Sequence, residues 1–283
     1  MSVRTDLAIE AKRLWDCDPE QKTKLSGVIA RKSGHFGIPI DIVRIIDEHG
    51  ARQLGKPIGT YVTLEVPMIS QKQQSYFRNA AEAVARVLHT MMPPGSRFLV
   101  VGLGNREITP DALGPFAVSN VIITRHLLKE PGCMLRNMSS VSGIVPGVLG
   151  TTGIESIDIV QGAVRTVRPD AVIVVDALAS CEPERICTTV QISDTGLIPG
   201  SGLGNQRHAF TKKELSVPVF AVGVPTVSDT DDLLRSKSKI KDLILTPRNM
   251  DYLVRDFAKL LGYGINLALQ PTISYDDIPA LLS

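Results

Sequence analysis

The sequence predicts an α/β protein, a three-layer sandwich around a mostly parallel or mixed sheet of phosphorylase- or hydrolase-like architecture. Two apolar runs, Phe98-Leu99-Val100-Val101 and Ala171-Val172-Ile173-Val174-Val175, read as buried strands that end at loops. Helical periodicity lies before and between them, most clearly at Phe77, Ala80, Ala81, Val84, Val87 and Leu88. Strands that alternate with helices in this way pack as a sheet covered by helices.

The chain has 283 residues, 43% hydrophobic and 21% charged, enough for a sizeable core in one α/β domain. Parts of 27–66 and 227–245 leave room for a small lobe. The formal net charge of +2 gives no global electrostatic footprint for nucleic acid. Cys17, Cys133, Cys181 and Cys187 form no CxxC pair, so a reduced protein without structural zinc is expected. The N-terminus lacks a signal-type apolar region, and no apolar run reaches the ~18 residues of a membrane span, which points to a soluble, cytosolic type.

In chain order, residues 1–10 are polar except for Leu7-Ala8-Ile9, and the segment reads as mobile. Val28–Ala30, Ile42–Ile46 and Tyr61–Val66 are expected strands, punctuated by Gly50, Gly55 and Gly59. Ser70–Met92 is an expected helix, closed by Pro93-Pro94-Gly95. The strand at 98–101 follows, and Phe116–Leu128 reads as the next helix. Val141–Gly150 reads as loop and Thr151–Val167 as helix. Ala171–Val175, Thr189–Ile192 and Val217–Val224 read as strands, and Val254–Leu269 as a final amphipathic helix.

Chemistry gathers where strands of open α/β sheets end. The first strand turns on Gly102-Leu103-Gly104-Asn105 and delivers Asp111; Asp176 closes the second strand. The two acids are 65 residues apart, room for about two βα units. On neighbouring parallel strands they would share one sheet edge. Two carboxylates held close cannot both ionise cheaply, so one keeps a proton and the pair supplies a general acid and a general base. The competing reading is two separate caps or loop-anchoring acids.

Other motifs fail on spacing. A dinucleotide loop needs a third glycine where Glu107 stands, and a carboxylate there would repel a pyrophosphate. No GxxxxGK[ST], HExxH or GxSxG is present. Asp194-Thr195-Gly196 matches the tripeptide of pepsin-like proteases, but one copy in an α/β chain is ordinary turn chemistry. The glycine-rich run to Gly204 lets backbone lie near a ligand. His126 falls in an expected helix, and Lys237, Lys239 and Lys241 read as a solvated loop.

Several of these stretches together resemble one family, the spore germination proteases of endospore-forming bacteria. They are VRTDLAIE at 3–10, GLGNREITPDALGP at 102–115, PGVLGTTGIES at 146–156 and VVDALA at 174–179. QISDTGLIPGSGLGN at 191–205, GVPTV at 223–227 and LTPRNMDYLVRDFAKLLGYGINLAL at 245–269 continue the match. The resemblance implies an atypical aspartic endopeptidase, similar in fold to hydrogenase maturation proteases, that degrades small acid-soluble spore proteins in the spore core. It implies a self-processing zymogen, a homotetramer, no cofactor and no direct contact with nucleic acid or membrane. The family's two catalytic aspartates map onto Asp111 and Asp176. Its self-cleavage maps between Asp6 and Leu7, so residues 1–6 would be a propeptide. Candidate substrate- and oxyanion-holding positions are Gly104, Asn105, Gly150, Thr152, Gly153 and Asp194. Two alternatives stay open: a metal-dependent maturation-type peptidase of the same fold, and a non-catalytic peptide-binding protein.

Overall fold

A computed structural model describes residues 5–17, 25–67, 69, 73–129, 137–201, 208–229 and 244–282. The N-terminal four residues, Cys133, the glycine run from Gly202 to Gly204 and the lysines at 237, 239 and 241 lie outside the described residues.

In chain order the elements are α1 (Ala8–Cys17), β1 (Val28–His35), β2 (Ile38–Ile45), α2 (Glu48–Leu54), β3 (Gly59–Glu65) and α3 (Gln74–Met91). They continue with β4 (Arg97–Gly102), α4 (Leu113–Val118), β5 (Ser140–Ile144), α5 (Leu149–Thr152), α6 (Ser156–Val167) and β6 (Ala171–Ser180). The last six are β7 (Thr189–Ser193), α7 (Lys212–Leu215), β8 (Val219–Asp229), β9 (Ile244–Leu245), α8 (Met250–Leu269) and α9 (Ile278–Leu281).

One mixed sheet runs β1-β2-β3-β7-β8-β6-β4-β5, with β9 added to the end of β8. The parallel pairings are confined to β4 with β5, β4 with β6 and β6 with β8. The β1, β2, β3 and β7 pairings, and those of β8 with β7 and β9, are antiparallel. The parallel strands β4 and β6 are buried on both faces, and the β1–β2 hairpin, largely exposed along β1, is antiparallel, as burial demands.

Alternation along the strands sorts side chains onto two faces. Ile173 and Val175 of β6, with Val190, Ile192, Val222 and Val224, join the largest core, closed by α3 and α8. On the other face Val172 and Val174 of β6 pack with Ile157 and Val160 of α6 and with Phe210 and Leu215. Farther along that face, Ala8 of α1 and Leu54 of α2 cover Val43, Ile45 and Tyr61. The second face is thus covered in two patches, and a cleft opens between them.

Four local expectations are corrected. The N-terminal segment is docked: Leu7 and Ala8 are fully buried, and α1 lies on the sheet. The helix expected from Phe116 stops at Val118, because the chain then turns onto α8. There the buried Asn266 carboxamide accepts the Ile122 N–H at 2.8 Å and donates to the Asn120 carbonyl at 2.9 Å. His126 consequently stands exposed in a turn. Residues 141–144, expected as loop, pair with β4 as part of the edge strand Ser140–Ile144. The helix expected over Thr151–Val167 is broken at Gly153, which caps α5 in the left-handed region at φ +70°.

Candidate active site

The parallel strands β4 and β6 are neighbours, with Gly102 opposite Val175, and the Leu103 N–H donates to the Val175 carbonyl at 2.8 Å. The chain beyond β4 therefore starts its loop beside Asp176. A single 3-10 turn, Thr109–Asp111, packs against β6, β8 and α8 beyond the end of β4, while Asp111 itself is not among the residues that line the cleft described below. The Asn105 N–H donates to Asp111 Oδ2 at 2.7 Å, fixing the half-buried carboxylate. Gly104 makes the approach possible. Its φ of +113° suits glycine, and a Cβ there would stand 1.9 Å from the Asp111 carbonyl oxygen and 3.0 Å from Oδ1.

Asp176 is 5% exposed and shares the β6 face of Val172 and Val174, so it looks into the cleft. Its Oδ1 accepts the Ala177 N–H at 3.0 Å. Asp176 is in register with Gly223 of β8, and Gly223 with Gln191 of β7. This row is the floor of a cleft of about 970 Å³. Gly223 has no room for a side chain: a Cβ would meet Leu178 Cγ at 2.5 Å and the Asp176 carbonyl oxygen at 2.9 Å.

The cleft holds the chain's own N-terminal segment. The Asp6 N–H donates to the Ala179 carbonyl at 3.0 Å, and the Ala179 N–H returns a bond to Asp6 Oδ2 at 2.8 Å. Ser201 Oγ donates to Asp6 Oδ1 at 2.7 Å. Gln191 Nε2 donates to the Asp6 carbonyl at 3.0 Å, while Gln191 Oε1 accepts the Ala8 N–H at 2.8 Å. Lys56 Nζ donates to the Thr5 carbonyl at 2.7 Å. Burial lowers the Lys56 pKa, and the Asp6 and Glu10 charges oppose that shift.

Glu10, fully buried, anchors α1 to the chain after β6. It accepts from Thr5 Oγ1, Ser180 Oγ, the Cys181 N–H at 2.9 Å and the Glu182 N–H at 3.3 Å, with Arg185 Nε 3.7 Å away. Cys181 Sγ lies 3.1 Å from the same carboxylate, and burial followed by the Glu10 charge pushes the thiol pKa far up. It is held protonated and is no nucleophile. Tyr61, which lines the cleft, is pushed up to about 12 chiefly by burial and donates to the Pro57 carbonyl at 2.9 Å.

The other expected positions separate. Asn105 spends its amide on Asp111. Gly150, Thr152 and Gly153 sit exposed on and after α5 and do not line the cleft. Asp194 is exposed and accepts the Thr60 N–H at 2.7 Å, tying the end of β7 to β3. Sequence reasoning passed over Gln191, Lys56 and Ser201. A polar amide inside the apolar run Thr189–Ile192 was a signal available for the first. Among the described residues, no three or more His, Cys, Asp or Glu side chains gather at metal-ligand spacing, and no helix is long and apolar enough to cross a membrane.

Fold and cleft together define an α/β protein that holds an extended peptide segment beside a buried acid. The sequence model described as germination protease matches residues 5–238. The germination protease of Caldanaerobacter subterraneus subsp. tengcongensis is 38% identical over all of this chain and 98% of its own. That of Clostridium tetani is 35% identical over the whole of both chains. That of Priestia megaterium is 40% identical over 98% of this chain and 77% of its own. The chain belongs to the germination protease family, and is on that ground a peptidase. A solved NiFe hydrogenase maturation protease from Thermococcus kodakarensis KOD1 covers 65% of this chain at 18% identity, with a TM-score of 0.38 and 98% of its own length aligned.

Proposed function

We propose that this chain is an aspartic-type endopeptidase that degrades small acid-soluble spore proteins during germination, in the cytoplasm of the spore. Asp111 and Asp176 share one proton and one water; one carboxylate takes a proton from the water as it attacks the peptide carbonyl, and the other protonates the departing amide. The pair titrates as a unit. What supports the reading is that Asp176 lines a cleft holding an extended segment, and that the turn carrying Asp111 packs against β6 just beyond the end of β4.

Asn105 is read as the group that orients Asp111, since its amide is committed to that carboxylate. Gly150, Thr152, Gly153 and Asp194 are left without a part in the chemistry. Residues 1–6 form a propeptide removed by cleavage between Asp6 and Leu7, and residues 7–283 form the catalytic domain. What supports self-processing is that Thr5 and Asp6 line the same cleft as Asp176. Ala179, which holds Asp6, is three residues along β6 from Asp176, roughly 10 Å at strand rise. The segment must slide or swing by that distance for its bond to reach the acids. The working assembly is a homotetramer.

The test is the pair of variants Asp111→Asn and Asp176→Asn, incubated with a small acid-soluble spore protein and followed by gel and by N-terminal mass. Each change should cut both substrate cleavage and loss of residues 1–6 by about 10²- to 10⁴-fold. An Asp176→Asn chain that still trims itself at the normal rate sinks the assignment. Activity that vanishes with a chelator and returns with a divalent ion would favour a metal-dependent peptidase instead. Binding of the spore protein without cleavage at any pH would favour a non-catalytic binder.

A further inference from the structure

β4 ends at Gly102, opposite Val175, but β6 continues to Ser180. On the side that β4 leaves, the backbone of β6 meets other partners. Leu103 takes the Val175 carbonyl, and the Asp6 main chain and carboxylate take both polar groups of Ala179. Between those two points lies Ala177, next to Asp176. An extended chain laid along this edge would pass the two acids at Ala177 and reach Ala179, whose carbonyl now takes the Asp6 N–H and whose N–H takes the Asp6 carboxylate.

The segment that shows the pose is gripped through two consecutive main-chain carbonyls as well as through the Thr5 and Asp6 side chains. Lys56 Nζ takes the Thr5 carbonyl, and Gln191 Nε2 takes the next carbonyl, that of Asp6. Gln191 is 7% exposed, so its amide is rigidly placed, and it stands in the same row of the sheet as Asp176. Groups that read two consecutive carbonyls are indifferent to side-chain identity and suit an enzyme that must seat one stretch of a long protein chain.

We propose that the edge of β6 beyond β4 is the docking strand for substrate, and that Lys56 and Gln191 are positioning residues that clamp the substrate's main chain through two consecutive carbonyls. The inference rests on the reading that Asp111 and Asp176 cleave at this edge. In the full chain the clamp is filled by Thr5 and Asp6; once residues 1–6 are gone, Lys56 Nζ, Gln191 Nε2, the Ala179 main chain and Ser201 Oγ pass to the substrate.

A chain that starts at Leu7 tests this, because it keeps every residue of the three apolar cores while Thr5, whose carbonyl Lys56 Nζ holds, is absent. The probe is the hexapeptide amide MSVRTD, residues 1–6, titrated into the Asp176→Asn form of that chain. Saturable binding is expected. Lys56→Met should weaken it about tenfold or more, the worth of a charge-assisted hydrogen bond, and Lys56→Arg should stay within about threefold. Gln191→Glu keeps the acceptor for the Ala8 amide but loses the donor, and should weaken binding by about three- to tenfold. With Asp176 intact, the same changes should raise KM for spore-protein cleavage while kcat moves less than about threefold. A purely structural role would lower the melting temperature without this KM-against-kcat split or the rescue by arginine. Absence of saturable binding at millimolar peptide, or unchanged affinity in Lys56→Met and Gln191→Glu, overturns the clamp. If those variants behave as wild type while Asp176→Asn is inactive, the clamp alone fails; if Asp176→Asn cleaves normally, the catalytic reading fails.

Discussion

Replacing Glu10 by alanine is the sharpest test of how the N-terminal segment is held. The carboxylate is fully buried and accepts hydrogen bonds from Thr5, Ser180 and the Cys181 and Glu182 amides, with the Arg185 guanidinium 3.7 Å away. Truncation removes the acceptor and leaves those donors facing a dry gap. Hydrogen bonds to a charged group are each worth about 1.5–3 kcal/mol, and breaking a buried charged network by deleting one member costs about 3–5 kcal/mol. For a chain of this size each kcal/mol moves Tm by about 2–4 °C, so a fall of about 10 °C is expected. Scanning calorimetry at pH 7 reads the Tm, and hydrogen exchange at the Ala8 and Ala179 amides reads the docking of the segment. Glu10→Gln, which keeps the shape but turns one acceptor into a donor, should fall between wild type and alanine. A Tm within about 2 °C of wild type, with unchanged protection at both amides, refutes the reasoning.

Two further outcomes follow from the site and its surroundings. Gly104→Ala places a Cβ 1.9 Å from the Asp111 carbonyl oxygen at a φ of +113°, so it should cost about 1–3 kcal/mol of strain and move Asp111 off its Asn105 bond. Spore-protein cleavage should drop far more than urea stability does, and retained activity would separate Asp111 from the chemistry. Asp170, whose carboxylate accepts from the Arg97 guanidinium at 2.8 Å and from the Ser96 and Arg97 amides, has its pKa lowered chiefly by the Arg97 side-chain bond. Its folded pKa lies below its unfolded one, so its stabilisation is complete above about pH 4 and fades as pH falls through the folded value. The gap in urea stability between wild type and Asp170→Asn should therefore be flat from pH 7 to 5 and close toward pH 2; a gap that does not change with pH would exclude this origin.

What was legible in the sequence was whatever depended on short-range pattern. The apolar run at 171–175 and the helical face of Ala80, Ala81, Val84 and Leu88 announce themselves because each side of the element meets a uniform environment. That Asp111 and Asp176 each follow a buried strand was readable for the same reason, because both runs are apolar throughout. Long-range decisions were not readable. The stop after Val118 is made by Asn266, far away in sequence, which competes for the amide of Ile122. β5 has little apolar content of its own and becomes a strand because β4 offers it an edge. The docking of residues 5–17 escaped notice because its partners, Gln191, Ala179 and Lys56, are each scattered and individually ordinary. Asp194 shows the converse: a familiar tripeptide whose carboxylate ends up holding the Thr60 amide.

The position of β8 in the sheet has a consequence for how the protein folds. On one side it lies parallel to β6, on the other antiparallel to β7, and it is made after both. The strands made before it form two separate ladders, β5-β4-β6 and β1-β2-β3-β7, and neither acquires its inner neighbour until β8 slots between them. Closing that gap joins segments far apart in the chain, which is slow, and it welds both ladders into one unit that should melt cooperatively. Asp176 and Gln191 belong to different ladders and meet only through Gly223. The insertion of a single strand thus completes the sheet and assembles the cleft floor in one event, so a chain stalled before it would have a partly built sheet and no cleft floor.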